Sequence, residues 1–325
     1  MTSPERSCTD KARSRAIQLG AKAFFHGLSS AGRLLPSSRP EAHGVEVIRD
    51  VPYAGSPEPW HRLDIYRPTN PTRALPVVLY VHGGGFQLLS KDTHWMMGLI
   101  FARAGYVVCN ISYRLAPKHP FPAALEDTCA ALEWVARHVS EYGGDPDHVV
   151  FAGESAGANL ACALTIATCY RRTEPYAERA WNAGIVPRAV VLGCGILQVS
   201  DPARFARRRK LPLWVIRMLA DISEGYIPGA TANAALADPL LILEQAHKPD
   251  RPLPPFFAFA GTRDPILDDT RRVEAALRAL HVPHEVRFYP GELHAFHALT
   301  MRKAARDCWR DKLSFLERQL TAAAP

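Results

Sequence analysis

A short apolar run, Val149-Val150-Phe151-Ala152, passes directly into Gly153-Glu154-Ser155-Ala156-Gly157 and then into a helical stretch ending near Tyr170. Strand, tight turn and helix follow with no room for a loop between them. This confines the chain to folds in which a serine crowns a sharp turn at the end of a sheet, its hydroxyl lifted clear of the backbone. Such a turn brings main-chain atoms close together. Its flanking positions must lack bulk, and Gly153 and Gly157 meet that need. Alone, the pentapeptide is weak evidence. With glycine and serine each about 7% of an average chain, it arises by chance in roughly one chain in ten of this length. A plain small-residue turn is the alternative reading.

Other segments weigh against chance. His82-Gly83-Gly84-Gly85 follows a second strand-like run, Pro76-Val77-Val78-Leu79-Tyr80-Val81. Glycines placed there let backbone N–H groups approach a developing oxyanion without side chains in the way. The expected donors are Gly83, Gly84 and, directly after the serine, Ala156. Gly85 is expected to support the loop. His82 and Glu154 are expected to support it too, with ordinary loop anchoring an equal reading for each.

Serine, then an acid, then a histidine is the chain order expected of a nucleophile on such a sheet. Pro255-Phe256-Phe257-Ala258-Phe259-Ala260 reads as a late buried strand, and Asp264 stands just past it. From there its carboxylate can reach back toward the serine. Asp268 and Asp269 compete, but they precede the helical stripe Val273, Ala276, Leu277 and Leu280 and suit its cap or first turn. The segment His284 to Tyr289 alternates polar and apolar residues, and Pro290-Gly291-Glu292-Leu293-His294 leaves it in a loop. Among 13 histidines, position singles out His294 as the base, while His297 reads as the opening of the final helix. The two histidines lack a third ligand and any H-E-x-x-H pattern, so no metal is expected.

With Ser155, Asp264 and His294 placed, the chain resembles the hormone-sensitive-lipase-like branch of the α/β-hydrolase carboxylesterases, from about Val45 to the last helix. Ser112-Tyr113-Arg114-Leu115-Ala116-Pro117 and Phe121-Pro122-Ala123-Ala124-Leu125-Glu126-Asp127 are similar to that family's stretch before the serine strand. So are Gly143-Gly144-Asp145-Pro146, the segment Gly153 to Leu160, Asp264-Pro265-Ile266-Leu267-Asp268 and His294-Ala295-Phe296. Three departures are visible. Ser112 stands where an aspartate is common, Lys118 where a glutamate is common, and Gln87-Leu88-Leu89 where smaller residues follow the glycines.

The resemblance implies an α/β-hydrolase fold, with a mostly parallel eight-stranded sheet flanked by helices and a helical cap. It implies a serine carboxylesterase acting on short- to medium-chain esters through an acyl-serine intermediate, with no cofactor. An amidase or aryl-formamidase on the same triad is the second reading. A non-catalytic ligand-binding homologue is the third, and the presence of His294 counts against it. A homodimer through the sheet edge is expected by family analogy alone.

Apolar runs alternate with helical stretches along the chain, as a parallel sheet covered on both faces requires. Strands are expected at 77–81, 106–111, 149–152, 189–192 and 256–260, with helices near 93–104, 122–142, 156–170, 267–280 and 300–320. The segments 45–53 and 62–66 alternate polar and apolar residues and read as an antiparallel edge. Residues 45–325 form the catalytic domain on this reading. Residues 1–44 are a cap segment with Ile17, Ala21, Phe24, Phe25 and Leu28 on one helical face. A second cap piece spans about 198–234, with Arg204, Arg207, Arg208, Arg209 and Lys210 ahead of Leu213, Trp214, Ile216, Met218 and Leu219. Its apolar residues are expected to meet substrate and its charges to face solvent.

The net charge of +7 is spread over those segments with no nucleic-acid motif, so no nucleic-acid partner is expected. A small-molecule ester is the expected partner. A basic amphipathic helix can also lie on an anionic membrane, and that is the weaker reading beside a solvated face. The first thirty residues carry charges throughout and no apolar core of signal-peptide length. Seven cysteines without C-x-x-C spacing fit reduced thiols in a cytoplasmic protein, with Cys109 and Cys194 as small core residues.

Overall fold

Unbroken runs of Val, Ile, Phe and Ala have no polar face to offer water, so as strands they must be covered on both sides. The chain is described by a computed structural model at residues 20, 23, 27, 29–56, 58–229 and 234–321, where these runs build one sheet of eight strands. They are β1 (Val45–Pro52), β2 (Arg62–Pro68), β3 (Leu75–Val81), β4 (Val107–Ile111), β5 (Gly144–Glu154), β6 (Ala189–Gly193), β7 (Phe256–Gly261) and β8 (His284–Tyr289). Their order across the sheet is β1-β2-β4-β3-β5-β6-β7-β8. β2 runs antiparallel to both its neighbours, and every pair from β4 to β8 is parallel. The carboxyl ends of β3, β5, β6, β7 and β8 therefore open on one edge of the sheet, where ligands of open α/β sheets bind.

Helices cover both faces. They are α1 (Trp95–Arg103), α2 (Ala123–His138), α3 (Ala156–Cys169), α4 (Pro175–Asn182), α5 (Arg204–Arg208), α6 (Leu213–Tyr226), α7 (Pro239–Glu244), α8 (Leu267–Ala279) and α9 (Lys303–Thr321). Val77, Leu79, Val81 and Phe151 join the core shared with α2, α3 and α8, whereas Val78, Tyr80, Val150 and Phe257 join the one shared with α1 and α9. That split is the period-2 alternation of strands made visible. Every residue of α3 is buried. A helix apolar all round belongs inside a core, and the small residues Ala156, Gly157, Ala158, Ala161 and Ala163 let its neighbours come close.

The strand and helix expectations hold, with one correction at the antiparallel edge. Only β1 is an edge. In β2, Leu63, Asp64, Ile65 and Tyr66 are all buried, because β4 pairs with its other side. Burying Asp64 requires a counter-charge, and Lys91 Nζ supplies it at 2.8 Å. No helix among the described residues is long and apolar enough to cross a membrane.

Candidate active site

Ser155 sits between β5 and α3 with φ 54° and ψ −117°, a backbone conformation that side chains rarely adopt and that costs about 1–3 kcal/mol. Its N–H donates to Gly193 O at 2.8 Å, and its carbonyl accepts from Asn159 N and Ile196 N, both at 3.3 Å. The turn leaves no space beside it. A Cβ on Gly157 would lie 2.0 Å from Val81 O, and one on Gly153 would lie 2.4 Å from Gly157 O. Ser155 is also the only residue between 149 and 170 that is not buried. The strain and the exposure fall on one hydroxyl.

Asp264 follows β7 in a loop tied to the one after β8. Arg263 N donates to Glu292 O at 2.9 Å, and Gly261 lies so near Glu292 O that a Cβ there would sit 2.2 Å from it. This tie brings the acid to the histidine. Asp264 is fully buried; Oδ1 accepts from Ile266 N at 2.9 Å, and Oδ2 lies 2.9 Å from His294 Nδ1. The His294 ring keeps 34% of its surface open. Burial opposes its charged form, but the Asp264 carboxylate, then the Cys194 thiol, raise its pKa well above the ordinary histidine value.

Neither rival acid is at hand for His294. Asp269 is fully buried and accepts from Leu197 N at 2.8 Å, Gln198 N at 3.2 Å and the Arg204 guanidinium at 2.5 Å. Asp268 faces Arg208 at 3.7 Å. His297 lies in a buried turn with its ring 5.1 Å from Phe259, and burial drives its pKa well below the usual range. Cys194 was not expected near the site. Its Sγ groups with Asp264 and His294 within 4.8 Å, yet the acid and the histidine already spend their facing atoms on each other.

The glycine loop holds a correction. Gly83 does lie against the serine, since a Cβ there would be 3.3 Å from Ser155 Cβ. Its N–H, however, donates to Glu154 Oε1 at 2.7 Å. One N–H carries one hydrogen, so Gly83 is not available to an oxyanion as expected. The amides of Gly84 and Gly85 have no hydrogen-bond acceptor among the described residues. Gly84, at φ 115°, could bear no side chain, because a Cβ would lie 2.1 Å from Leu88 O. Ala156 N begins α3 and has no carbonyl one turn back to bond.

Comparison with known proteins places this geometry in a lineage. Residues 78–298 match the family described as the alpha/beta hydrolase fold. The chain belongs to that family. This hydrolase is 30% identical over 310 residues to carboxylesterase NlhH of Mycobacterium tuberculosis, an alignment covering 93% of this chain and 89% of that one. It is 32% identical over 264 residues to esterase LipI of the same species, covering 78% and 76%. Among solved structures, a bacterial heroin esterase superposes with a TM-score of 0.75 at 24% identity, over 94% of this chain and 93% of that one.

The segment after β6 departs from expectation in this hydrolase. Its arginines do not all face water. Arg204 is buried on Asp269, and Arg209 Nη1 donates to the main-chain oxygen of Asp264 at 2.8 Å. A buried carboxylate demands a partner, which overrides the tendency of an arginine run to solvate. The apolar side is reversed in part as well. Val215, Leu219, Ile222 and Tyr226 form the inward stripe of α6, leaving Leu213 61% and Trp214 67% exposed. Near its end, α6 grips the glycine loop: Gln87 Nε2 donates to Asp221 O at 3.0 Å, and Phe86 stacks on Tyr226 at 3.7 Å.

In the N-terminal segment, the face expected from Ile17, Ala21, Phe24, Phe25 and Leu28 lies outside the described residues. From residue 29 onward the chain is fastened to the start of α1. Trp95 Nε1 donates to Ser29 Oγ at 3.0 Å, and Arg33 Nη2 donates to Asp92 O at 2.6 Å.

Proposed function

We propose that the chain is a serine carboxylesterase that hydrolyses short- to medium-chain esters of small molecules through an acyl-serine intermediate. One observation carries the reading. Asp264 and His294 are joined at 2.9 Å on the sheet edge where a strained, solvent-open serine stands. Relatives named as esterases support the same chemistry.

In this reading His294 Nε2 takes the hydroxyl proton as Ser155 Oγ bonds to the ester carbonyl carbon. Asp264 holds the Nδ1–H and stabilises the imidazolium. The carbonyl oxygen becomes an oxyanion facing the amides of Gly84, Gly85 and Ala156. Its collapse breaks the bond to the alcohol oxygen, and His294 returns the proton to that leaving group. Water then gives a proton to His294 and attacks the acyl carbon. The second collapse releases the carboxylic acid and restores the serine hydroxyl. Helices α5 and α6 act as a cap over the serine. The side chain of Ile222, 2.9 Å from where a Gly85 Cβ would be, supports that placement. Excluding water there strengthens the contacts to the oxyanion.

A series of p-nitrophenyl esters tests the reading. Turnover is expected to be highest for the short- and medium-chain members of the series. No turnover along the whole series would overturn it. The pH dependence gives a separate check. The base must be neutral to act, so activity falls as pH drops through its pKa. Because Asp264 raises that pKa, the acid limb of kcat/KM is expected above about pH 6.5, the usual histidine value. A limb below about pH 6 would mean that the acid does not act on the base.

A further inference from the structure

The steps above give no role to the largely covered His94. His94, the residue before α1, directs its ring at the base of the glycine loop. Its Nε2 lies 2.8 Å from Glu154 Oε1, the same oxygen that accepts the Gly83 N–H at 2.7 Å. The ring edge and the carboxylate are thus in direct contact. On its other side the ring is fastened too, with Nδ1 3.1 Å from Ser90 O and 3.0 Å from Thr93 Oγ1. His94 stacks on His82 at 5.4 Å, and His82 stacks on Tyr113 at 4.2 Å. His82 Nδ1 donates to Gly83 O at 2.7 Å. Both main-chain groups of Gly83 are thus held, the N–H through Glu154 and the carbonyl through His82.

The charges around this group are few. Burial pushes His94 down to about 4 and His82 down to about 3, so both rings are neutral at working pH. Burial pushes the Glu154 carboxyl up to about 7, while the Gly83 N–H, Lys312 and His294 pull it back. Lys312, on α9, is buried against Trp309 at 3.5 Å, Phe259 at 5.0 Å and Phe101 at 5.6 Å. A carboxylate so enclosed stays in one place only if its neighbours keep it there. His94 is the side chain that touches it.

We propose that His94 is a positioning residue for the oxyanion: by bracing Glu154 it fixes Gly83, and so sets where the next two amides, of Gly84 and Gly85, point. This rests on the esterase reading above. It extends the chain of dependence from the reacting oxygen to a residue outside the glycine loop. A displacement of about 1 Å at such a site costs up to about a hundredfold in rate, and loss of one oxyanion donor costs about a hundredfold to a thousandfold.

The test compares wild type with His94→Ala, His94→Gln and Glu154→Gln, using p-nitrophenyl butyrate and a trifluoromethyl ketone. The ketone adds to the serine and presents a true oxyanion. His94→Ala is expected to lower kcat by about tenfold to a hundredfold with KM within about twofold, and to weaken the ketone by a similar factor. His94→Gln, which can still meet the Glu154 oxygen, is expected to recover most of the loss. A folded His94→Ala variant with wild-type kcat and ketone affinity would overturn the proposal. So would a loss confined to thermal stability. If His94→Ala does not fold, Glu154→Gln keeps the size of the side chain and carries the same test, and a wild-type response to the ketone there would also overturn it. Failure of wild type itself to cleave the ester would sink the esterase reading, whereas normal wild-type cleavage with unaffected variants sinks this inference alone.

Discussion

Ser155→Ala will abolish ester turnover, by about six orders of magnitude in kcat, and leave the protein folded. The substitution removes one oxygen and keeps the Cβ, so the tight contacts of Gly153 and Gly157 with the turn are untouched. Alanine tolerates φ 54° no worse than serine does. The unfolding free energy is therefore expected to stay within about 0.5 kcal/mol of wild type, as for a change without lost packing. The measurement is turnover of p-nitrophenyl butyrate beside a melting curve, together with labelling by a fluorophosphonate. Turnover within tenfold of wild type, in a purified and folded variant, would end the assignment of the nucleophile.

Asp264→Asn comes second, with an expected loss of about four orders of magnitude in kcat. The amide fills the same volume but removes the charge that holds His294 Nδ1 at 2.9 Å. An asparagine can also donate toward Nδ1, which favours the wrong tautomer of the base. A further consequence is signed. Since the Asp264 carboxylate raises His294, its removal lowers that pKa, and the acid limb of the residual activity shifts to lower pH. Two neighbours serve as controls. Asp268→Asn loosens one exposed arginine and should leave turnover near wild type. Asp269→Asn strands the buried Arg204 and should cost about 3–5 kcal/mol of stability. If Asp268→Asn proves to be the crippled variant, the acid has been misassigned.

The meeting of Asp264 with His294 is legible in the residues because each is announced locally. The acid stands at the end of an apolar run, and the histidine stands in the loop after an alternating one. The sheet is legible for the same reason, since its buried strands need no knowledge of their neighbours. What escapes is anything decided by a distant partner. Whether Gly83 offers its N–H to a substrate depends on whether Glu154, 71 residues away, turns inward. The arginine run from 204 to 210 reads as a solvated face until Asp269 is known to be buried beneath it. His94 is one histidine among 13, with no motif to single it out. Only the contacts of its ring with His82 and Glu154 give it a place.

The segment between β6 and α7 touches both halves of the chemistry. Arg209 holds the main-chain oxygen of the acid, and the end of α6 holds Gln87 and Phe86 in the glycine loop. On the proposed reading of this segment as a cap, doorway and machinery are built as one mechanical piece. Grafting this segment from a relative to change which acyl chains enter will also retune how fast they react. In this enzyme selectivity and speed are not separate dials.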